Sequence, residues 1–93
     1  MKVKKIMCCC GQGLGSSMLV RLNVEKVLKN LGIKGVDVEH STIADAVAGA
    51  ADLFVFGNDL KQFVPNLPLV ILLDNIVNIK ELEEKLKKAL QIE

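Results

Sequence analysis

A short apolar run, followed at once by a glycine-rich turn and a helical pattern, constrains this chain most. Residues 3–9 are mostly apolar and lead directly into Cys-Gly-Gln-Gly-Leu-Gly-Ser-Ser at residues 10–17. Glycine permits a tight turn between a strand and a helix, and it lets successive backbone N–H groups point into one concavity. The N-terminus of the following helix adds partial positive charge. The pattern therefore predicts an anion-binding loop between a first strand and a first helix.

Cys10 lies at the boundary between the predicted strand and this loop. A thiol beside a helix N-terminus is shifted toward the thiolate, the form that attacks electrophiles. A nucleophile at the rim of an anion-binding loop indicates covalent chemistry on a phosphoryl group. Cys8 and Cys9 precede it, and neighbouring residues of a strand point to opposite faces. We therefore expect these two cysteines to pack in the core and not to form a disulfide framework.

The remaining chain alternates between strand and helix patterns. After the first strand, the predicted elements are a helix capped by Ser16 or Ser17 and ending near Leu31, a strand at 36–41, a short helix at 42–50, a strand at 53–56, a loop or helical turn at 58–64, a strand at 69–73, and a helix capped by Asn78. Such alternation predicts right-handed crossovers and a parallel sheet covered on both faces. We expect an α/β fold, a three-layer sandwich whose four strands have the order 2-1-3-4, with helices on both sides. Ligands bind such sheets beyond the carboxyl ends of the strands, beside strand 1, and Cys10 lies there.

Length and charge exclude several further classes of function. The 93 residues predict one domain, 1–93. Twelve basic side chains against eleven acidic ones give no excess of positive charge of the kind that binds nucleic acid. The longest apolar stretch, 67–73, is too short to span a bilayer, and the N-terminus lacks a signal-peptide pattern. We therefore expect a cytoplasmic protein. No Cys-x-x-Cys occurs and His40 is far from the cysteines, so neither a metal nor a cofactor is expected.

Counting along the loop separates it from better-known phosphate loops. Ser16 stands where a dinucleotide-binding fingerprint has its third glycine, and no Gly-Lys-Ser/Thr ends the motif as in nucleotide-binding loops. Phosphatases with a Cys-x5-Arg loop grip phosphate with an arginine fork, but here the sixth position after Cys10 is again Ser16. The missing arginine weakens hydrolysis as the purpose. A loop that holds a phosphothiol and surrenders it to another acceptor fits the residues better.

The motif Cys-Gly-Gln-Gly-Leu-Gly-Ser-Ser-Met at residues 10–18 resembles that of the IIB component of the bacterial phosphoenolpyruvate-dependent sugar phosphotransferase system. The likeness covers essentially the whole chain and is greatest for the L-ascorbate type, within the wider lactose- and galactitol-like group. The resemblance implies a fold like that of low-molecular-weight phosphatases, related to the Rossmann fold. It also implies a relay, in which IIB takes a phosphoryl group from a phosphohistidine of IIA and passes it to sugar bound by the membrane component IIC.

On this resemblance Cys10 matches the phosphorylated cysteine of the family, and the protein works at the inner face of the membrane through IIC. We expect the phosphoryl oxygens to be bound by backbone N–H groups of the loop, with hydroxyls as further donors, the residues being Gly11, Gln12, Gly13, Leu14, Gly15, Ser16 and Ser17. The two serines could equally serve as helix caps.

Several residues outside the loop have both a functional and a structural interpretation. Met18, Arg21 and Leu22 lie near the loop on the first helix and are candidates for partner docking or for core packing. Asp59 and Asp74 follow strands and should lie on the rim of the site, where turn formation is their simplest role. His40 is expected to be a half-buried strand residue.

Two other functions remain open from the residues alone. A small cysteine-dependent phosphatase, or an enzyme like arsenate reductase, would use the same nucleophile and turn over without partners. A non-catalytic phosphate-binding domain would need the loop but not Cys10.

Overall fold

The computed structural model describes residues 3–9, 14–42, 46–47, 49–67 and 69–90. Its elements are β1 (Lys5–Cys9), α1 (Leu14–Asn30), β2 (Asp37–Ser41), β3 (Leu53–Gly57), a 3₁₀ helix that is kinked at Leu60 (Asn58–Asn66), β4 (Val70–Leu73) and α2 (Ile79–Ala89). Each predicted strand is present, and so are the helical turn after β3 and the two long helices. Within the described ranges, no helix is long and apolar enough to cross a membrane.

The four strands form one sheet in the order β2-β1-β3-β4, and every neighbouring pair is parallel. This confirms the predicted order. In the register, Cys8 lies between His40 of β2 and Val55 of β3, and Cys9 lies between Ser41 and Phe56. Because all the strands are parallel, their carboxyl ends share one edge of the sheet, and the chain leaves that edge after Cys9.

Both long helices pack on one face of the sheet. The apolar stripe predicted for the first helix is buried there, as are Leu82 and Leu86 of α2. The residues of this cluster that come from the helices and central strands are Ile6, Cys8, Val20, Val24, Val27, Leu28, Leu53, Val55, Leu82 and Leu86. Burial of these aliphatic side chains supplies the main stabilisation of the fold, since each contributes about 1.5–3 kcal/mol in transfer free energy.

The opposite face carries a second apolar cluster. Its buried members are Met7, Cys9, Ala51, Phe54, Phe56 and Leu60. Leu60 comes from the 3₁₀ helix, so this helix and the segment before β3 form the third layer. The short helix predicted at 42–50 is not found at residues 46, 47, 49 and 50, which are coil, turn and bend. Gly49 has a φ of +94°, which ends any right-handed helix there; residues 43–45 and 48 lie outside the described residues.

Two helix ends follow the signals in the sequence. Gly32 adopts a φ of 73°, and the Ile33 N–H donates to the Leu28 carbonyl at 2.9 Å, which closes the C-terminus of α1. Asn78 caps α2, and its side chain accepts a hydrogen bond from the Glu81 N–H at 3.1 Å. Both predictions are confirmed.

Candidate functional site

The candidate site lies where β1 ends and α1 begins, at the carboxyl edge of the sheet. Cys9 is the last residue of β1, and Leu14 is the first residue of α1. Cys10, Gly11, Gln12 and Gly13 lie outside the described residues, so their predicted roles stay predictions. The structure describes the two elements that flank the loop in the sequence, which are the fully buried end of β1 and the N-terminus of α1.

Helix α1 begins earlier than predicted. The helix starts at Leu14, so Ser16 and Ser17 lie in its first turn and neither is the cap. The first N–H groups of an α-helix have no acceptor within the helix, and here they include those of Leu14, Gly15 and Ser16. Ser17 is fully buried, Ser16 is half-buried, and Gly15 is exposed with open space where a Cβ would stand. At Gly15, in the first turn, the backbone is therefore open to solvent.

Cys8 and Cys9 are both completely buried, on opposite faces of the sheet. Burial raises the pKa of Cys8 strongly; Cys9 and Glu25 raise it further, and the nearby Arg21 opposes them. The Cys9 thiol donates to the Thr42 carbonyl at 3.6 Å. These contacts confirm the prediction that both cysteines serve the core. A thiol whose proton is so firmly held is a poor nucleophile.

Arg21 and His40 form a contact that the sequence did not suggest. Arg21 Nη1 lies 3.1 Å from His40 Nδ1, which joins α1 to the edge strand β2. Arg21 Nε lies 3.5 Å from Glu25 Oε1, close enough for an ion pair but not aligned as a hydrogen bond. A groove of about 400 Å³ adjoins this pair. Its lining residues are Met7, Arg21, Val38, Glu39, His40 and Ser41.

The predicted docking residues Met18 and Leu22 are exposed, at 47% and 49%, on the half of α1 nearest the loop. Core packing against the last helix is therefore wrong for these two side chains. Leu19 is also exposed, at 39%, and extends the same apolar surface, although the sequence analysis did not single it out. The surface formed by Met18, Leu19 and Leu22 is called the α1 patch below. Arg21 is half-buried at its border.

Asp59 and Asp74 lie at the carboxyl edge of the sheet, after β3 and β4, as predicted. Both line one groove of about 330 Å³ together with Asn58 and Asn75. Among the described residues, no group of three His, Cys, Asp or Glu side chains could hold a metal ion. The groove therefore offers carboxylates and amides for hydrogen bonding.

Glu81 fixes the backbone of this rim. Its carboxylate accepts the N–H of Asp74 at 2.8 Å and the N–H of Asn75 at 3.0 Å, and Lys85 Nζ lies 2.8 Å from Oε2. Burial tends to raise the pKa of Glu81, but the hydrogen bonds from Lys85, Asp74 and Asn75 outweigh it, and the pKa is lowered. Lys85 also donates to the Leu72 carbonyl. The sequence did not suggest these contacts.

The chain is similar to known proteins over nearly its whole length. Residues 5–88 match the sequence model of a family described as the lactose/cellobiose-specific IIB subunit of the PTS system. A curated relative, the ascorbate-specific PTS system EIIB component of Mycoplasma pneumoniae, is 31% identical over an alignment of 88 residues; the alignment covers 91% of this chain and 93% of the relative. The family match runs from β1 through the loop and α1 into the closing β4–α2 unit.

Proposed function

The chain belongs to the lactose/cellobiose-type IIB family of the sugar phosphotransferase system, and we propose that it carries the phosphoryl group on Cys10. The family match confirms the resemblance drawn from the loop motif. Membership of this family identifies the chain as a phosphoryl-transferring subunit of a sugar uptake system. The identity of the carrier residue, its donor and its acceptor belong to the proposal, as does the treatment of residues 1–93 as a single IIB domain.

One observation carries the choice of Cys10. The chain has three cysteines, and the side chains of two of them, Cys8 and Cys9, are enclosed in the two apolar clusters. Cys10 is the one that comes between the end of β1 and the N-terminus of α1, where backbone N–H groups and the helix dipole favour a dianion. The described residues 14–17 supply that N-terminus, and the loop residues from Gly11 to Gly13 complete the phosphate site in the proposal.

The reaction consists of two in-line transfers. In the first, the Cys10 thiolate attacks the phosphorus of a phosphohistidine on IIA; the S–P bond forms as the P–N bond breaks, and the histidine nitrogen keeps the electron pair. In the second, a sugar hydroxyl attacks the phosphorus, loses its proton, and displaces the thiolate. Backbone N–H groups neutralise the charge on the equatorial oxygens in both steps, so the site's own dipoles supply the electrostatic stabilisation.

The α1 patch supplies the docking surface in this proposal. A carrier must meet a donor and an acceptor in turn, and exposed apolar side chains beside the reactive centre suit such transient contacts. Met18 and Leu22 provide the apolar contact, and Arg21 at the border steers acidic surfaces. The acceptor is sugar held by IIC, so the protein acts in the cytoplasm at the inner face of the membrane. The name of the relative makes ascorbate the first sugar to try.

The test is to incubate the protein with phosphoenolpyruvate, the general phosphotransfer proteins and the IIA protein of the same system, and then to map phosphate by mass spectrometry. We expect phosphate on the peptide that contains Cys10, none in Cys10→Ser, and an unchanged yield in the matched variant Cys8→Ser if that variant stays folded. Turnover of p-nitrophenyl phosphate without partners would instead favour a phosphatase. Absence of both label and turnover would favour a phosphate-binding domain.

A further inference from the structure

We propose that Arg21 is the cation of the phosphoryl site, resting on His40 in the unphosphorylated protein and moving to the phosphoryl group once Cys10 carries it. The inference rests on the proposed function and goes beyond it, because it assigns a phosphate-contacting residue outside the loop. It also gives Arg21 a role different from partner steering.

The chemistry of the contact shows that His40 is a replaceable partner. A guanidinium remains protonated in proteins and has no acceptor, so at 3.1 Å an Arg21 N–H donates and His40 Nδ1 accepts. The imidazole is therefore neutral, with its proton on Nε2. A neutral acceptor binds a guanidinium more weakly than an anion does, and a phosphoryl group offers two oxygens in the geometry of the guanidinium fork.

The second contact of Arg21 leaves the guanidinium incompletely satisfied. The Nε atom is buried and makes no hydrogen bond to any part of the chain that the structure describes, although Glu25 Oε1 is 3.5 Å away. That ion pair is half exposed, with side-chain exposures of 36% and 45%, and water screens it. A phosphoryl dianion can therefore compete for Arg21 against both present partners.

The register of the sheet places this pair beside the end of β1, and Cys10 follows β1 directly in the sequence. His40 lies opposite Cys8, and Ser41 opposite Cys9. Arg21 lies in the second turn of α1, and side chains of a helix incline toward its N-terminus, which here faces the loop. The groove beside Arg21 and His40 leaves room for the guanidinium to swing.

The sequence gives an independent reason to look for such a cation. The loop has Ser16 at the position where a Cys-x5-Arg loop has its arginine, and Arg21 is the one arginine in the whole chain. An arginine of the loop itself would stay in the phosphate site permanently. Arg21 belongs to the helix, so its guanidinium contacts the phosphoryl group only while Cys10 carries that group. Such a contact holds the dianion on Cys10 without blocking its transfer to the acceptor.

The test compares Arg21→Gln with His40→Leu, which keeps bulk at position 40 but removes the acceptor. Rapid-quench measurements follow transfer from phosphorylated IIA to Cys10, and urea denaturation reports stability. If Arg21 contacts the phosphoryl group, Arg21→Gln slows transfer about 10- to 100-fold, whereas His40→Leu does not slow it. If the pair is only a tether between α1 and β2, both variants lose the same interaction and slow transfer equally, and the inference is overturned. Lys26→Gln, an exposed charge on the same helix, serves as the matched control.

A second readout does not depend on rates. His40 is the one histidine in the chain, so its imidazole nitrogens give a single pair of ¹⁵N signals. We expect phosphorylation of Cys10 to shift the Nδ1 signal as Arg21 leaves, and an unchanged signal would contradict the proposal. A parent protein that takes no label on Cys10 would overturn the proposed function and this inference together. Normal labelling in the parent with equal rates in Arg21→Gln would overturn this inference alone.

Discussion

The Glu81 carboxylate of α2 accepts the backbone N–H of Asp74 at 2.8 Å and so ties the last helix to the rim of the sheet. Asp74 lies in the groove that also contains Asp59, at the carboxyl edge of the sheet, where β1 also ends. Four residues after Glu81, Lys85 donates to the same carboxylate oxygen, Oε2, at 2.8 Å. One side chain thus fixes the position of a rim that would otherwise be a free turn.

Removal of this charge should loosen the rim. We expect Glu81→Gln to lower the free energy of unfolding by about 1 kcal/mol, because the amide keeps one acceptor but loses the charge-assisted bonds. The control is Glu84→Gln, which makes the same charge change at an exposed position of α2. Urea denaturation of both variants measures the difference, and equal stability would show that the carboxylate does not anchor the rim.

The lowered pKa of Glu81 also predicts an acid dependence. Because the folded state binds the proton less readily than the unfolded state, the stabilisation is fully present above the ordinary glutamate pKa of about 4.3. It is lost as the pH falls through the folded-state pKa. Denaturation curves from pH 6 downward (a range of roughly three units) should therefore show the parent protein converging on Glu81→Gln. Parallel curves for the two proteins would contradict the pKa shift.

Cys8 predicts the opposite dependence at high pH. Burial raises its pKa, so the folded protein keeps a proton that the unfolded chain releases. The stabilisation is present below the ordinary cysteine pKa of about 8.5 and is lost as the pH rises toward the folded-state value, by up to about 1.4 kcal/mol per pH unit. Stability measured against pH should fall more steeply in the parent than in Cys8→Ala. Equal slopes would mean that the thiol ionises in the folded state.

The α1 patch should affect partner binding without affecting the fold. Met18→Ala and Leu22→Ala remove exposed side chains, so the free energy of unfolding should change by no more than about 0.5 kcal/mol. The KM for phosphorylated IIA should rise several-fold while the rate at saturation stays unchanged, since docking contacts are lost equally in ground and transition states. Val47→Ala, an exposed apolar residue on another segment, is the matched control. A KM equal to that of the control would place the docking surface elsewhere.

The sequence allowed most of the fold to be predicted because local signals agreed with the architecture. Gly32 ended the first helix and Asn78 began the last, and alternation of strands and helices was enough for the sheet order. The short helix at 42–50 was expected only from polar residues in positions typical of a helix cap. The positive φ of Gly49 shows that these residues did not determine the backbone conformation there.

The parts of the site that could not be predicted depend on contacts between distant elements. Arg21 and His40 are nineteen residues apart and meet only because β2 lies beside β1 under α1. The role of Glu81 depends on the backbone N–H groups of the turn after β4, which no side-chain pattern reveals. The burial of the first two cysteines, in contrast, could be predicted from the sequence. Adjacent cysteines in an apolar strand had to face both apolar clusters, and this left Cys10 as the candidate nucleophile.

A pulse–chase experiment tests the central claim most directly. The protein is phosphorylated by radiolabelled IIA, separated from the donor, and mixed with membranes that contain the IIC protein and its sugar. We predict that label on Cys10 disappears at the rate at which sugar phosphate forms, and that Cys10→Ser neither takes up label nor supports sugar phosphorylation. Formation of labelled sugar phosphate by Cys10→Ser, or label on Cys10 that does not reach the sugar, would contradict the account.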